Sequence, residues 1–341
     1  MTDASSGLEL LDRRTVAKIA AGFLVAGVLL ALAAVGIGLG DLERSLADAR
    51  PAWVLAGCVS TLLCLAAWGR AWQVVLGVAG VEASYRRLVV TYLAATFANY
   101  VTPLGQAGGE PFIAYVLSRD TEAEYEEALA SVVTADLLNM LPFFTFSGVG
   151  FAALLWQASL PSSLKPLAGG LFGLAVGVPV VAVVGWRYRR PIGRLVLRVA
   201  APVARRTPRF SLASLRQRMA DLNDAFERIA RDRRALAQAL VFAYVGWVFF
   251  ALPLYFVAVS LDLSIPLLLV LFIVPASTLA GVVPSPGGLA GVEFALAGLL
   301  IGLVGVGRAD AYAASLLYRV ASYWFALLVG GVATLSVIER I

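Results

Sequence analysis

An apolar region near the C-terminus of this chain is interrupted by Pro284-Ser285-Pro286-Gly287-Gly288-Leu289-Ala290-Gly291-Val292-Glu293. A similar stretch occurs in the first third of the chain, Pro103-Leu104-Gly105-Gln106-Ala107-Gly108-Gly109-Glu110. Counted from Pro286 and from Pro103, both octets contain a proline, a glycine in third place, an alanine, a following glycine and a final glutamate. Because proline and glycine interrupt helices, each stretch is predicted to break a membrane helix and to leave a carboxylate at the start of the next one.

The composition is typical of a polytopic membrane protein. Of the 341 residues, 60% are hydrophobic and only 14% are charged, whereas soluble domains average about 25% charged residues. Several apolar runs reach the length of about 20 residues that a helix needs to cross a bilayer. We therefore predict an all-α membrane protein with about six full spans and two broken, re-entrant helical hairpins.

The apolar runs predict the boundaries of the spans. The full spans are predicted at 17–38, 52–76, 128–156, 165–186, 236–260 and 311–338. The broken hairpins are predicted at 88–118 and 266–306, and residues 41–50 are predicted to form an external loop. The chain is accordingly divided into a cytoplasmic tail at 1–14, an N-terminal membrane half at 15–186, an Arg-rich cytoplasmic segment at 187–234 and a C-terminal membrane half at 235–341.

The Arg-rich segment predicts the orientation. Residues 187–234 contain 14 Arg and four acids, a net charge of +10 in a chain whose formal charge is +5. Basic loops stay in the cytoplasm, so both termini of this cell-membrane protein are predicted to be cytoplasmic. The first hairpin would then open to the cytoplasm and the second to the outside. Broken helices in inverted repeats are typical of alternating-access transporters.

Apolar residues within the Arg-rich segment recur at intervals of three and four, which predicts an amphipathic helix. They are Leu212, Leu215, Met219, Leu222, Phe226 and Ile229. We expect this helix to lie on the membrane surface and to contact anionic lipid. Nucleic-acid binding is not expected, because membrane topology accounts for the positive charge.

Five ionisable residues lie within the predicted membrane region, namely Arg70, Glu110, Asp136, Glu293 and Arg319. Charges inside a bilayer are costly and usually mark substrate pathways or proton relays. Glu110 and Glu293 have two interpretations. Each could cap the helix that it begins, or the two could meet Arg70 and Arg319 in a buried network that exchanges partners during transport. Arg70 could also reach the interface between two Trp residues, or hold a lipid phosphate.

The Gly-rich breaks also have two interpretations. Their free N–H groups could bind an anion such as a lipid phosphate, or the glycines could allow close helix packing. The candidate residues are Pro103, Gly105, Gly108, Gly109, Pro284, Pro286, Gly287, Gly288 and Gly291, with Asn99 just before the first break.

Neither a metal nor an organic cofactor is predicted. The chain has no His, and its two cysteines, Cys58 and Cys64, are six residues apart in one apolar run. Six residues place them on different faces of a helix, so we expect neither a disulfide nor a thiolate metal site.

The two breaks, together with Asn99, Pro111 and the run Tyr318-Arg319…Tyr323-Trp324, resemble the lysylphosphatidylglycerol synthase transmembrane-region family. This is the UPF0104-type group, related to the flippase half of the multiple peptide resistance factor. The resemblance covers about residues 15–338 and implies a lipid-translocating domain, with Glu110, Glu293 and Arg319 at motif positions. Many relatives have a basic residue soon after the first break, where this chain has Phe112 and Ile113 and no Arg before Arg119.

These observations together predict a membrane flippase for a phospholipid or a lipid-linked substrate, and not an enzyme. Two alternatives stay open. The chain could be an enzyme, or the partner of one, acting on a lipid-linked sugar or isoprenoid phosphate. It could also be a scaffold whose Arg-rich segment recruits a cytosolic partner. Lysyl transfer by this chain alone is not expected.

Overall fold

The computed structural model describes residues 13–81, 83–102, 110–121, 123–156, 212–283 and 285–340, with isolated positions between 173 and 198. The regular elements in these ranges are helices, and no strand occurs among them. The prediction of an all-α membrane protein is confirmed for this part of the chain. Residues 1–12 of the predicted tail at 1–14, the first break at 103–109 and Pro284 lie outside the described residues, as does most of the predicted span at 165–186.

In the described ranges up to residue 260, the helices are α1 Arg13–Ile37, α2 Leu39–Ala47, α3 Pro51–Ala79, α4 Tyr85–Val101, α5 Glu110–Asp120, α6 Tyr125–Trp156, α7 Leu212–Arg231 and α8 Arg233–Ser260. The C-terminal region contains α9 Leu267–Thr278 with the 3-10 turn Leu279–Val282, α10 Gly291–Leu299 with the π-helical turn Leu300–Val304, and α11 Arg308–Arg319, which continues through the π-helical turn Val320–Trp324 into α12 Phe325–Ile338.

Five of the predicted full spans correspond to helices that are long and apolar enough to cross a membrane. Within the described ranges these are Val16–Ile37, Pro51–Ala79, Tyr125–Ala152, Arg233–Ser260 and Arg308–Ile338. Many of their large apolar side chains are exposed, among them Leu24, Leu55, Val241 and Leu328. Apolar side chains on the outside of a helix bundle are expected where the surrounding solvent is lipid.

The second break forms a helical hairpin. After α9 and its 3-10 turn the chain reverses direction, and α10 packs back against both. The two apolar arms, Leu267–Gly281 and Gly291–Val304, are shorter than the spanning helices. At about 1.5 Å per residue, neither reaches the ~30 Å thickness of a bilayer core. The lengths therefore favour a re-entrant hairpin over two full spans.

The described residues fall into two compact units. Unit A takes them from Met1–Leu65, Val90–Gly109 and Val248–Arg340, and unit B takes them from Ala66–Val89 and Glu110–Trp247. Unit A contains the second hairpin and the last span, and unit B contains α5, α6 and α7. The predicted division into an N-terminal and a C-terminal membrane half stays a prediction.

Residues 41–50, predicted as a loop, contain most of the short helix α2 instead. The helix forms because one of its faces has partners within unit A. Leu42 is buried, and the Ser45 hydroxyl donates to Oδ1 of Asp310 at 2.8 Å in α11. The prediction of a loop relied on local polarity, which does not reveal this long-range contact.

The predicted amphipathic helix is confirmed as α7, and its apolar face packs against protein in unit B. Ala225 and Ile229 are buried, and α7 lies against α6. Two ion pairs flank this contact, from Arg218 to Glu126 at 3.2 Å and from Arg228 to Glu127 at 2.7 Å. The exposed basic face of α7 is the surface left for the predicted contact with anionic lipid, and that contact stays a prediction.

Candidate functional site in the second hairpin

The turn between α9 and α10 adopts a left-handed backbone that explains its glycines. Gly287 has φ +56° and Gly288 has φ +66°, a region that glycine enters without steric cost. Ala290 also has a positive φ, +68°, which is unfavourable for a residue with a Cβ. Local bonds hold the turn: the Ser285 hydroxyl donates to the carbonyl of Leu289 at 2.9 Å, and the Gly288 amide donates to the carbonyl of Ser285 at 3.1 Å.

The glycines also allow the two arms to approach closely. A Cβ on Gly288 would lie 2.5 Å from Cα of Gly281, and a Cβ on Gly291 would lie 2.5 Å from the carbonyl oxygen of Ala280. Backbone atoms cannot move aside as a flexible side chain can, so larger residues would separate the arms. Close packing, one of the two interpretations of the break, is therefore present in this hairpin.

Glu293 is the third residue of α10, and only 1% of it is exposed. Its Oε1 accepts a hydrogen bond from Nε of Arg319 at 2.8 Å. Its Oε2 has no hydrogen-bond partner among the described residues. Glu293 thus sits in the first turn, where the helix dipole favours a negative charge, but its hydrogen bond goes to an arginine and not to the free N–H groups of the helix end.

Arg319, the last residue of α11, connects the last span to the broken hairpin. Its side chain is 10% exposed. Besides the bond to Glu293, its Nη2 donates to the carbonyl of Gly287 at 2.8 Å. Its guanidinium carbon lies 4.2 Å from the centre of the Tyr323 ring, within the range of a cation–π interaction. The arginine therefore holds both the carboxylate of α10 and the Gly-rich turn before it.

A π-helical turn follows Arg319 directly, from Val320 to Trp324. Such turns are rare inside α-helices and occur frequently at functional sites. Within it, the Tyr323 hydroxyl donates to the carbonyl of Tyr100 at 3.1 Å, and the two rings lie 5.1 Å apart. Tyr100 is near the end of α4, three residues before Pro103 in the sequence. Tyr323 thus contacts Gly287 in the turn of the second break and also α4, the helix that precedes the first break.

A small cavity lies beside Arg319. Its lining consists of Tyr100, Phe250, Thr278, Gly281, Gly287, Val292, Tyr318, Arg319, Ser322 and Tyr323. It offers about 30 Å³ of room to water-sized groups, and a water molecule needs roughly 10–15 Å³ of such room. The cavity thus has room for one or two waters. This volume is too small for a phosphate, which has four oxygens around phosphorus.

The other predicted site residues have different surroundings. Arg70, in unit B, bonds to Gln73 and lies over the rings of Tyr85 and Phe242 at 5.6 and 6.0 Å. These rings are not those of the two Trp residues in the prediction, and both interpretations of Arg70 stay predictions. The break residues Pro103, Gly105, Gly108, Gly109 and Pro284 lie outside the described part of the chain.

The remaining acids belong to unit B. Glu110 is the first residue of α5 and is half-buried. Asp136, half-buried on α6, is near enough to Glu110 for the two to interact electrostatically. Asn99 is half-buried in α4, in unit A. The structure thus pairs Glu293 with Arg319 and places Glu110 near Asp136.

Tyr100 and Tyr323 were not predicted as site residues. Tyr323 is part of the motif run after Arg319, but its role depends on contacts with distant residues. The spacing of Arg319 and Tyr323, four apart, is a signal that sequence reasoning can use, because such residues share a helix face. Nothing in the sequence indicated Tyr100 or the π-helical turn.

The sequence matches a known family over most of its length. The family described as the lysylphosphatidylglycerol synthase TM region matches residues 19–330. The chain belongs to this family. The resemblance inferred from the two breaks and the Tyr318–Trp324 run is thereby confirmed, and the match includes both breaks and Arg319.

Several relatives of similar length are UPF0104 membrane proteins. One from Methanothermobacter thermautotrophicus is 26% identical over 337 residues, which is 95% of this chain and 93% of the relative. Another from the same organism is 25% identical over 306 residues, 86% of this chain and 88% of the relative. A third, from Pyrococcus horikoshii, is 23% identical over 293 residues, 83% of this chain and 85% of the relative.

Proposed function

We propose that this family member moves a phospholipid, or another substrate with a lipid-linked phosphate, across the membrane. The observation that carries the proposal is the buried ion pair of Arg319 and Glu293, held against the Gly-rich turn of a hairpin too short to span. Arg319 is expected to exchange Glu293 for the phosphate headgroup, and to release the headgroup again, as the hairpin opens and closes.

A contribution to the stability of the fold does not by itself explain a buried ion pair at this position. A charged residue at the centre of a membrane helix costs about 2.5–3.5 kcal/mol on insertion scales. Well-packed apolar side chains of similar volume are often as stabilising as a buried ion pair, or more so. Two buried charges on adjacent elements therefore favour a role in transport.

Arg319 has the chemistry that a phosphate ligand needs. Its guanidinium carries five N–H donors in a fixed fork that matches phosphate oxygens. Two donors are used, by Glu293 and by the carbonyl of Gly287. A headgroup entering an opened hairpin would replace these partners with charge-assisted hydrogen bonds of similar strength. Exchange between partners of similar strength is what a transporter requires, because a substrate that is bound too tightly is not released.

The acids of unit B extend the proposal. Glu110 is the first residue of α5, and Glu293 likewise lies in the first turn of α10. Asp136 interacts electrostatically with Glu110. We assign Glu110, Asp136 and Arg70 of unit B to a second gate, and Asn99 of unit A stays a separate candidate. In transporters with inverted repeats, such broken helices open in turn to the two sides of the membrane.

Lipid translocation in vesicles tests the proposal. The purified protein is reconstituted with a fluorescent phospholipid, and a membrane-impermeant quencher reports the exchange between leaflets. Wild-type protein should accelerate the exchange, and Glu293→Gln should abolish it, because Gln keeps the shape but removes the charge that competes for Arg319. Glu339→Gln, an exposed acid after the last helix, is the matched control. Equal exchange in Glu293→Gln and wild type, with both proteins folded, contradicts the proposed role of the pair.

A further inference from the structure

The charges around the ion pair lead to an inference that rests on the proposed function. Arg319 and Glu293 neutralise each other in a site where both are buried. A phosphodiester headgroup carries one negative charge. If it bound to Arg319 while Glu293 stayed ionised, the site would hold one uncompensated negative charge in a medium of low dielectric constant, which is strongly unfavourable.

The other titratable side chains near the pair supply no compensating charge. They are Tyr312 and Tyr318 of α11, Tyr323 of the π-helical turn, Tyr100 of α4 and Cys64 of α3. Phenols and thiols of these types are neutral at pH 7. The facing arm of the hairpin, Leu267–Val282, contains no titratable residue. Within the described surroundings, the charge balance therefore depends on Glu293.

The two carboxylate oxygens of Glu293 have different surroundings, and one of them is available to accept a proton. One carboxylate oxygen, Oε1, is bonded to Arg319, and the other, Oε2, is buried without a hydrogen-bond partner among the described residues. When no hydrogen-bond donor contacts a carboxylate oxygen, hydrogen bonding does not stabilise the negative charge on that oxygen. Protonation of Oε2 would leave Arg319 free to bind a new anion without changing the net charge of the site.

We propose that Glu293 takes up one proton for each anionic headgroup that Arg319 binds, so that lipid movement is coupled to protons. The exchange is balanced. The guanidinium keeps its charge, the hydrogen bond from Nε to Oε1 breaks, the phosphate oxygen becomes the new acceptor, and one proton from water binds Oε2. Release of the headgroup returns the proton and restores the ion pair. The loaded and empty sites are then both neutral, and a monoanionic lipid crosses without net movement of charge.

Isothermal titration calorimetry measures the proton uptake that accompanies lipid binding. Short-chain phosphatidylglycerol, a soluble monoanionic lipid, is titrated below its micelle concentration into full-length protein in an uncharged detergent. Titrations in buffers with different ionisation enthalpies give the number of protons taken up per lipid. We expect about one for wild type and for Glu339→Gln, and none for Glu293→Gln, which is still expected to bind the lipid.

The pH dependence of wild-type affinity supplies a measurement that does not depend on the folding of a variant. If one proton binds with the lipid, Kd should rise about tenfold for each unit of pH in the range where free Glu293 is ionised. Binding with no proton uptake and a constant Kd overturns the coupling and leaves the proposed function standing. Proton uptake that persists in Glu293→Gln overturns the assignment to this residue. No detectable lipid binding by wild type overturns both proposals.

Discussion

Nε of Arg319 lies 2.8 Å from Oε1 of Glu293, and this bond joins the end of α11 to the start of α10. The same guanidinium bonds to the carbonyl of Gly287 in the turn between α9 and α10. A single side chain thus links the last span to the hairpin at two points. The proposed opening of the hairpin would have to break or exchange both bonds.

Arg319→Lys keeps the positive charge but loses the planar fork, so it cannot hold Glu293 and Gly287 together in the present geometry. We expect lipid translocation to fall at least about tenfold, since a hydrogen bond to a charged group contributes roughly 1.5–3 kcal/mol. Arg340→Lys, at an exposed residue after the last helix, should leave the rate unchanged. Wild-type rates in Arg319→Lys would mean that a point charge is sufficient.

Tyr323→Phe removes the hydroxyl that donates to the carbonyl of Tyr100 but keeps the ring over Arg319. Because a typical hydrogen bond contributes about 0.5–1.5 kcal/mol, we expect a several-fold change in the translocation rate with little loss of stability. Tyr323→Leu should have a larger effect, because it also removes the cation–π contact. Tyr255→Phe, which removes a hydroxyl elsewhere in unit A, is the control. Identical rates for wild type and both Tyr323 variants would exclude a role in positioning.

Gly288→Ala places a Cβ 2.5 Å from Cα of Gly281 at a residue with φ +66°. The left-handed backbone alone costs roughly 1–2 kcal/mol for a residue with a Cβ, and the backbone contact adds to it. We expect a clear decrease in the thermal unfolding temperature in detergent. Gly298→Ala is the matched control, because a Cβ there would meet nothing within 4 Å. In a helix it should be neutral or stabilising by up to about 1 kcal/mol. Equal decreases for both variants would contradict the close packing of the arms.

The contact of α7 with α6 should depend mainly on apolar burial. Ile229 is 1% exposed, whereas the Arg228 and Glu127 side chains of the adjacent ion pair are 51% and 23% exposed. Ile229→Ala is expected to destabilise unit B by about 2–5 kcal/mol, and Glu127→Gln by about 1 kcal/mol or less. Limited proteolysis of the 187–234 segment in increasing denaturant measures both. A larger effect of Glu127→Gln would mean that the ion pairs hold α7 in place.

The predicted orientation is tested by labelling single cysteines in intact cells with a membrane-impermeant maleimide. In a background with Cys58→Ser and Cys64→Ala, Arg216→Cys on α7 should be labelled only after the membrane is permeabilised. Ser264→Cys, after α8, should be labelled in intact cells; both positions are exposed. The reverse pattern would place the Arg-rich segment outside and invert both hairpins.

Much of the helical framework was predictable because the bilayer imposes simple rules. An apolar run of sufficient length must form a helix, since lipid offers no partners to the backbone, and five predicted spans agree with the described helices. The periodic apolar residues of α7 also predicted its helix. Local patterns failed at α2, where Leu42 and Ser45 make contacts with residues far away in the sequence.

The sequence by itself determined the membrane class, the family and the position of the second break, because composition, length and Gly-rich motifs are local properties. It also singled out Glu293 and Arg319 as costly charges. Only the tertiary structure decided that the two charges pair, that Tyr323 lies over Arg319 and bonds to Tyr100, and that the cavity beside them has room for water only. The physical reason is that hydrogen bonds and ring contacts require specific distances between residues far apart in the chain, and those distances are set by how the hairpin and the last span pack together.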